Sequence, residues 1–288
     1  MRIPKYWARA TAEAPKPDGI PVSQSCWRWS DDSEADARDS ALAAATRIVR
    51  ALIDGTPLAH YGYGNAPLRE QLIQEVSDDV GQRLAAVTQN AYGALVLVTD
   101  QVMFVDVDFP PAQAGAELRY FFKRLVSKRA ISPETEHENA ARLKIERLLR
   151  ERPDWGLRVY RTFAGLRVLV THQQFDPAGD QTAEVFESLG ADPLYQRLCK
   201  SQRSFRARLT PKPWRCGHTA NHISWPRETA DQQQRFEQWS REYSARQVGY
   251  ATCRLLAVMG DGAVHPAVQP IVELHDHMSR CEEPLKLA

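Results

Sequence analysis

Two stretches in the middle of the chain are predicted to form β-hairpins, because their apolar residues come in short runs separated by turns. The first hairpin pairs residues 94–99 with residues 102–109 across a turn at residues 100–101. The second pairs residues 157–162 with residues 166–172 across a tight connection. Short apolar and β-branched runs on either side of a turn are typical of paired strands. We therefore expect a mainly antiparallel sheet.

Helices are predicted around these strands, where apolar residues recur every three or four positions. One begins after the capping side chains at residues 30–32 and ends before Gly55, with Leu42 and Leu52 on its apolar face. Pro67 predicts the first turn of a second helix. Further helices are expected over residues 112–128, 133–150, 183–189, 193–200 and 267–280. Strands in hairpins separated by helices predict an α+β fold.

The chain is predicted to have three parts. Residues 1–90 are expected to form a mainly helical module packed on the core, with an irregular segment over residues 1–29. Residues 91–228 contain the predicted hairpins and carry the candidate chemistry. Residues 229–288 are expected to form a C-terminal helical segment.

The composition excludes some classes of protein. With 288 residues, 43% of them hydrophobic, the chain is long enough to bury a core, which argues against disorder as its main state. No apolar run is long enough for a membrane span, and the N-terminus lacks the apolar run of a signal peptide. The five cysteines are scattered rather than arranged as a disulfide framework. We expect a soluble, cytoplasmic protein.

The net charge of +1 implies no partner, but the charges are unevenly distributed. The segment 197–227 has no acidic residue, and its basic residues are Arg197, Lys200, Arg203, Arg206, Arg208, Lys212, Arg215 and Arg227. Arg206 and Arg208 are two positions apart, so an extended chain points both to the same side. Such a segment suits phosphate groups. The alternative is a solvated surface whose counter-ions lie elsewhere in the fold.

Asp106 and Asp108 are the most informative residues, because strand alternation places both on one face of an apolar strand. Two neighbouring carboxylates repel each other unless a cation lies between them, and Mg²⁺ or Mn²⁺ prefers oxygen ligands. We expect both on a central strand, with Asp192 close enough to share the cation. The alternative is that the pair caps the turn before Pro110, and that Asp192 caps a helix that begins at Pro193.

The second predicted hairpin contains a hydroxyl, a glycine and a cation around its turn. Thr162, Gly165 and Arg167 are the candidates for binding a phosphate-bearing ligand, since glycine permits close backbone approach and arginine matches phosphate oxygens. The alternative is an ordinary hairpin turn with an exposed arginine.

The order of these features resembles the archaeo-eukaryotic primase superfamily. Val105-Asp-Val-Asp-Phe-Pro-Pro111 looks like its first motif, and Thr162-Phe-Ala-Gly-Leu-Arg167 is similar to its second. Asp192, followed by Ser204-Phe-Arg-Ala-Arg208, resembles the third-motif region in the polymerase domains of bacterial end-joining repair ligases. The resemblance covers about residues 90–215. It departs from the family at Arg167, where the family has a histidine that contacts the nucleotide triphosphate.

The resemblance implies an RRM-like sheet with flanking helices, and it makes residues 91–228 a primase-polymerase-like palm. Asp106, Asp108 and Asp192 would be catalytic and hold Mg²⁺ or Mn²⁺ for nucleotidyl transfer. The expected nucleotide-binding residues are Thr162, Gly165, Arg167, Arg206 and Arg208. The expected nucleic-acid-binding residues are Arg203, Lys212 and Arg215.

Nucleic acid (DNA or RNA) and nucleoside triphosphates are the expected partners, together with a possible protein partner in replication, repair or defence. One alternative is an inactive primase-like protein that binds nucleic acid or nucleotides, which the arginine at position 167 favours. Another is a metal-dependent phosphohydrolase or nuclease that uses the same aspartates.

Three other features of the sequence contain residues with functional chemistry. Cys199, Cys216, His218 and His222 have zinc-binding chemistry, but their spacing also fits a loop with incidental ligands. His172, at the end of a predicted strand, is either an acid–base group or a hydrogen-bonded structural residue. The segment Tyr61-Gly-Tyr-Gly64 either stacks a base or forms a packed turn.

Overall fold

The computed structural model describes residues 1–57, 67–110 and 132–288. These residues form six α-helices and twelve β-strands, with helices flanking antiparallel sheets. The predicted α+β class is confirmed. The helix predicted over residues 112–128 and the segment 61–64 lie outside the described residues.

The N-terminal segment is a long hairpin, contrary to the expectation of irregular chain. Strands β1 (Tyr6–Pro15) and β2 (Pro21–Ser30) pair along their whole length. Every second residue from Ala8 to Ala14 is an alanine, which is the two-residue period of a strand. Pro17-Asp-Gly19 forms the turn. Gly19 has a φ of 83°, which favours glycine.

Helix α1 (Glu34–Asp54) packs on this hairpin. Its bounds agree with the prediction, because Ser33 accepts a hydrogen bond from Asp36 N and Gly55 ends the helix at a φ of 66°. Its buried face is made of alanines and Val49, whereas Leu42 and Leu52 are exposed.

The first large sheet has the strand order β3-β4-β5-β9. Its strands are β3 (Gln71–Ser77), β4 (Arg83–Gln89), β5 (Leu95–Thr99) and β9 (Phe205–Arg208). Strand β3 takes the place of the helix predicted after Pro67. Its pairing with β4 shifts register after Leu72 and after Val76, which disturbs the two-residue period. The first ninety residues are therefore not mainly helical.

The second large sheet has the order β11-β7-β8-β6. Its strands are β6 (Phe104–Asp108), β7 (Gly156–Thr162), β8 (Gly165–Val170) and β11 (Cys253–Gly260). The predicted hairpin of β7 with β8 is confirmed. The other predicted hairpin is wrong, because β5 pairs with β4 and β9 while β6 pairs with β8. Strand β6 is an end strand of its sheet rather than a central one.

Five further helices flank the sheets: α2 (Pro133–Glu151), α3 (Asp180–Leu189), α4 (Pro193–Gln202), α5 (Ala230–Gln247) and α6 (Gln269–Ser279). Strands β10 (Tyr250–Ala251) and β12 (Lys286–Leu287) form a short parallel pair. The C-terminal segment is thus only partly helical, and it supplies β11 to the second large sheet. No helix in the described ranges is long and apolar enough to cross a membrane.

The main core lies between the two large sheets. One cluster of buried side chains includes Leu97 and Phe205 from the first sheet and Phe104 and Leu169 from the second. Tyr195 on α4 joins the sheets, since its hydroxyl lies 3.0 Å from Phe104 O and 3.1 Å from the carbonyl oxygen of residue 206. This junction places β6 next to β9.

Candidate anion site beside an acidic edge

Asp106, Asp108 and Asp192, which we call the acidic edge, lie together. Asp106 and Asp108 share one face of β6, as alternation predicts. Asp192 is beside them, because its backbone N–H donates to Asp106 O at 3.2 Å. Its carboxylate caps α4 by accepting from Leu194 N at 3.1 Å and Tyr195 N at 3.3 Å. Asp192 therefore joins the acidic edge and also serves as the helix cap.

Arg167 makes a two-point ion pair with Asp106. The two residues face each other in the β6–β8 register. Arg167 Nε lies 2.8 Å from Asp106 Oδ1, and Nη2 lies 3.2 Å from Oδ2. The arginine is 2% exposed. Burial alone would lower the pKa of Arg167, but the charge of Asp106 outweighs it and the pKa is raised.

The residues of the acidic edge do not fit the expected Mg²⁺ or Mn²⁺ ion. Both oxygens of Asp106 accept from Arg167, and both oxygens of Asp192 accept from the first turn of α4. Only the carboxylate of Asp108 is exposed among the three. Within the described part of the chain, no group of three His, Cys, Asp or Glu residues is placed to hold a metal ion.

Asp108 is surrounded by charges of both signs. Asp108 is exposed on one side only, so partial burial raises the pKa of its carboxyl, and the carboxylates of Asp106 and Asp192 raise it further. Lys212 and Arg208 act in the opposite direction. Asp108 thus lies between the other carboxylates of the acidic edge and a group of cations.

Arg208, Lys212 and Arg215 form that group, which we call the cationic cluster. Burial lowers the pKa of Lys212, and the two guanidinium groups lower it further. Burial and Arg208 likewise lower the pKa of Arg215. None of the three makes an ion pair with another described residue. Arg208 Nε is buried and finds no hydrogen-bond acceptor among the described residues. The cluster therefore carries three positive charges, which the nearby carboxylate of Asp108 offsets only in part.

Two aromatic rings stand exposed beside the cationic cluster. Phe163, in the β7–β8 turn, is 51% exposed, and Trp214 is 52% exposed. Arg215 Cζ lies 4.0 Å from the centre of the Phe163 ring, and Lys212 Nζ lies 5.5 Å from that of Trp214. Tyr92 packs edge-on against Trp214 at 5.3 Å between ring centres. These contacts fix the rings while leaving apolar surface open to solvent.

Several predicted site residues lie elsewhere or have other partners. Arg206 shares a face with Arg208, as expected, but it is paired with Glu70 at 2.6 Å. Arg203 ends α4 and lies 3.4 Å from Asp176. A Cβ on Gly165 would lie 2.0 Å from Val107 O, so the absence of a side chain serves the packing of β8 against β6 rather than a ligand.

Thr162 ends β7, where it pairs with Cys253 on β11. Arg167 does not face a triphosphate, because its guanidinium is buried against Asp106. Of the eight predicted residues outside the acidic edge, the structure therefore groups Arg208, Lys212 and Arg215.

Sequence reasoning missed Glu70, Phe163 and Trp214. Phe163 follows the predicted site residue Thr162, and Trp214 precedes Arg215. An aromatic beside a predicted site residue is the signal that could have singled them out. Glu70 carries no comparable signal, because its partner Arg206 is 136 positions away in the chain.

Of the other candidate groups, Cys199, Cys216, His218 and His172 are part of the packing, and Cys199 is buried. Cys216 Sγ lies 3.2 Å from Pro213 O, and the His218 ring stacks on Trp239 at 5.5 Å between centres. His222 is exposed. His172 packs on Trp155 at 4.5 Å, and burial lowers the pKa of its imidazole.

Comparison with known protein families, with curated proteins and with solved structures finds no match to this chain. The interpretation of the site therefore depends on the chemistry of its own residues.

Proposed function

We propose that this protein binds nucleic acid or nucleotides through the cationic cluster, and that it acts as a binding protein. The observation that carries the proposal is the charge of Arg208, Lys212 and Arg215, which has no ion-pair partner in the described chain. Burial lowers the pKa of Lys212 and Arg215, and the neighbouring like charges lower it further. A phosphate group bound at the cluster would relieve this repulsion and accept charge-assisted hydrogen bonds.

The exposed rings favour nucleotides over simple anions. Phe163 and Trp214 offer open aromatic faces within reach of the cluster. Bases stack on such faces, while neighbouring cations bind the backbone phosphates. A site that binds only inorganic phosphate does not require exposed aromatic rings beside it.

The pairing of Arg167 with Asp106 supports binding rather than nucleotidyl transfer. Catalysis through a metal held by the acidic edge requires the Asp106 carboxylate, and both of its oxygens are engaged by Arg167. Metal-dependent nucleotidyl transfer stays a prediction of the sequence resemblance, and so does phosphate-ester hydrolysis at the same aspartates. Either would require the Asp106 carboxylate to serve a metal ion as well as Arg167.

The proposal is tested by fluorescence anisotropy with a labelled single-stranded oligonucleotide and with a labelled nucleoside triphosphate. Lys212→Gln and Arg215→Gln should each weaken binding on the order of tenfold, the value of one charge-assisted hydrogen bond. Arg203→Gln is the matched control, because Arg203 is an exposed cation at the other end of β9, paired with Asp176. Equal affinities for wild type and the two cluster variants would refute the proposal.

Catalysis is assayed on the same preparations. Wild type is incubated with primer, template, nucleoside triphosphates and Mg²⁺ or Mn²⁺, and the products are separated by size. A binding protein leaves the primer unchanged. Extension that is lost in Asp108→Asn would show the protein to be a transferase, whereas cleavage of the nucleic acid would show a nuclease.

A further inference from the structure

Two arginines outside the cationic cluster lie over aromatic rings. Arg69 Cζ lies 4.3 Å from the centre of the Trp27 ring on β2. Arg227 Cζ lies 3.2 Å from the centre of the Phe236 ring on α5 and 5.3 Å from that of Trp225. Arg69, Arg227, Trp27 and Trp225, which we call the second surface, are all half-buried, so part of each residue is open to solvent.

The positive charge of the second surface is offset only in part. Within the described ranges, no ion pair includes Arg69 or Arg227. Burial lowers the pKa of Arg69, and the carboxylate of Glu228, which is 3.8 Å from Arg9, opposes this effect. Burial also lowers the pKa of Arg227, to about 10, and Glu237 acts in the opposite direction. Partly desolvated cations with so little compensation favour an anionic ligand.

The second surface is linked to the cationic cluster by short steps along the ends of β3 and β4. Arg227 Nη1 donates to Gln71 Oε1 at 2.7 Å, and Gln71 pairs with Gln89 across the two strands. Gln89 is followed three positions later by Tyr92, whose ring packs on Trp214 beside the cationic cluster. Paired strands are about 5 Å apart and three residues span at most about 10 Å, so one oligonucleotide can reach both surfaces.

We propose that a single strand of nucleic acid bound at the cationic cluster continues over the second surface. This inference rests on the proposed function, and it identifies the ligand as a single-stranded polynucleotide rather than a free nucleotide. Unpaired bases stack on aromatic rings and on the planes of arginine guanidinium groups, while the same cations bind backbone phosphates. A duplex hides the faces of its bases, so the unpaired strand fits these residues better.

The test compares labelled oligonucleotides of about 3 and about 12 nucleotides in anisotropy titrations, because single-strand sites commonly cover about 4–16 nucleotides. Arg69→Gln/Arg227→Gln should weaken binding of the long strand about tenfold or more, since two charge-assisted contacts are lost. Binding of the short strand at the cationic cluster should be unchanged. Arg38→Gln is the matched control, because Arg38 is an exposed arginine paired with Glu34 at 2.7 Å, and it should leave both affinities unchanged.

Salt dependence and a charge-conserving variant separate the contribution of charge from that of shape. For the long strand, Arg69→Gln/Arg227→Gln should reduce the slope of log affinity against log salt by roughly 1.4, the share of two cations. Arg69→Lys/Arg227→Lys keeps the charges but lacks the planar groups on which bases stack. We expect this variant to retain the wild-type slope and to bind the long strand more weakly than wild type. Circular dichroism and Tm check the fold of each variant, and the lysine variant tests the inference even if the glutamine variant does not fold.

The outcomes distinguish this inference from the proposed function. Wild-type affinity of both double variants for the long strand, or an equal loss for the two lengths, would overturn the inference. So would a duplex of the same length that binds as tightly as the single strand. The proposed function itself fails on a different result, namely Lys212→Gln and Arg215→Gln variants that bind the short strand as wild type does.

Discussion

The ion pair between Glu70 and Arg206 should be a major contributor to stability, although it lies outside the proposed binding site. The side chains are 10% and 17% exposed. Arg206 Nη2 lies 2.7 Å from Oε1 and 2.6 Å from Oε2, and Thr88 Oγ1 donates to Oε2 at 2.6 Å. Loss of one partner leaves the other charge desolvated and unpaired, which typically costs about 3–5 kcal/mol.

The perturbation is Glu70→Gln, which removes the charge while keeping the shape of the side chain. The amide retains one acceptor and the pair keeps some exposure, so we expect the low end of that range, about 3 kcal/mol. A change of 1 kcal/mol shifts the Tm of a chain of roughly this size by about 2–4 °C, which predicts a fall in Tm of roughly 6–12 °C. Urea denaturation and thermal unfolding followed by circular dichroism measure both quantities.

Two controls make this result specific. Glu70→Leu/Arg206→Met should recover most of the loss, because a buried pair replaced on both sides by apolar groups leaves no unpaired charge. Arg147→Gln breaks the exposed pair of Arg147 with Glu151 and should cost less than about 1 kcal/mol. A loss below about 1 kcal/mol for Glu70→Gln would refute the claim that this pair is desolvated.

Two further predictions concern backbone strain and proton linkage. Gly93→Ala should destabilise by about 2 kcal/mol or more in urea denaturation, since its φ is 95° and a Cβ would lie 2.0 Å from Trp239 Cη2. Gly81→Ala, at a φ of 83° with nothing within 4 Å, is the control and should cost only the backbone strain of about 1 kcal/mol. Because the pKa of Lys212 lies below its usual 10.5, affinity for the labelled oligonucleotide should weaken as pH rises through that lowered value, since the cation is lost there. Lys212→Arg should keep its affinity over the same alkaline range in anisotropy titrations, and parallel pH profiles of the two proteins would contradict this.

The elements that could be predicted are those with local signals. Helices α2 and α4 begin where expected because Ser132 and Asp192 cap them and a proline follows each cap. The β7–β8 hairpin was predicted because its two strands are joined by a short turn. In each case the deciding interactions lie within a few residues of one another.

Strand partners could not be predicted in the same way. Strands β5 and β6 are both apolar and close in sequence, yet β5 pairs with β9, which is more than a hundred residues away. An apolar run shows that a strand is buried, but it does not identify the partner, which packing between the two sheets decides. Strand β3 was missed because its apolar residues Leu72, Ile73 and Val76 have a helix-like spacing in the sequence. The strand accommodates this spacing through its two register shifts.

The candidate site was predictable in part for the same reasons. Strand alternation correctly placed Asp106 and Asp108 on one face, and Arg206 and Arg208 on another. The partner of Arg167 depends on the β6–β8 register, which sets it opposite Asp106 and which no local pattern reveals.

The salt dependence of oligonucleotide binding tests the central claim most directly. Each phosphate that a cation neutralises contributes about 0.7 to the slope of log affinity against log salt for a single strand. The Lys212→Gln/Arg215→Gln double variant removes two cations of the cluster, so its slope should be shallower than that of wild type by roughly 1.4. Arg203→Gln should leave the wild-type slope unchanged. Identical slopes for wild type and the double variant would contradict the assignment of the cationic cluster as the phosphate-binding surface.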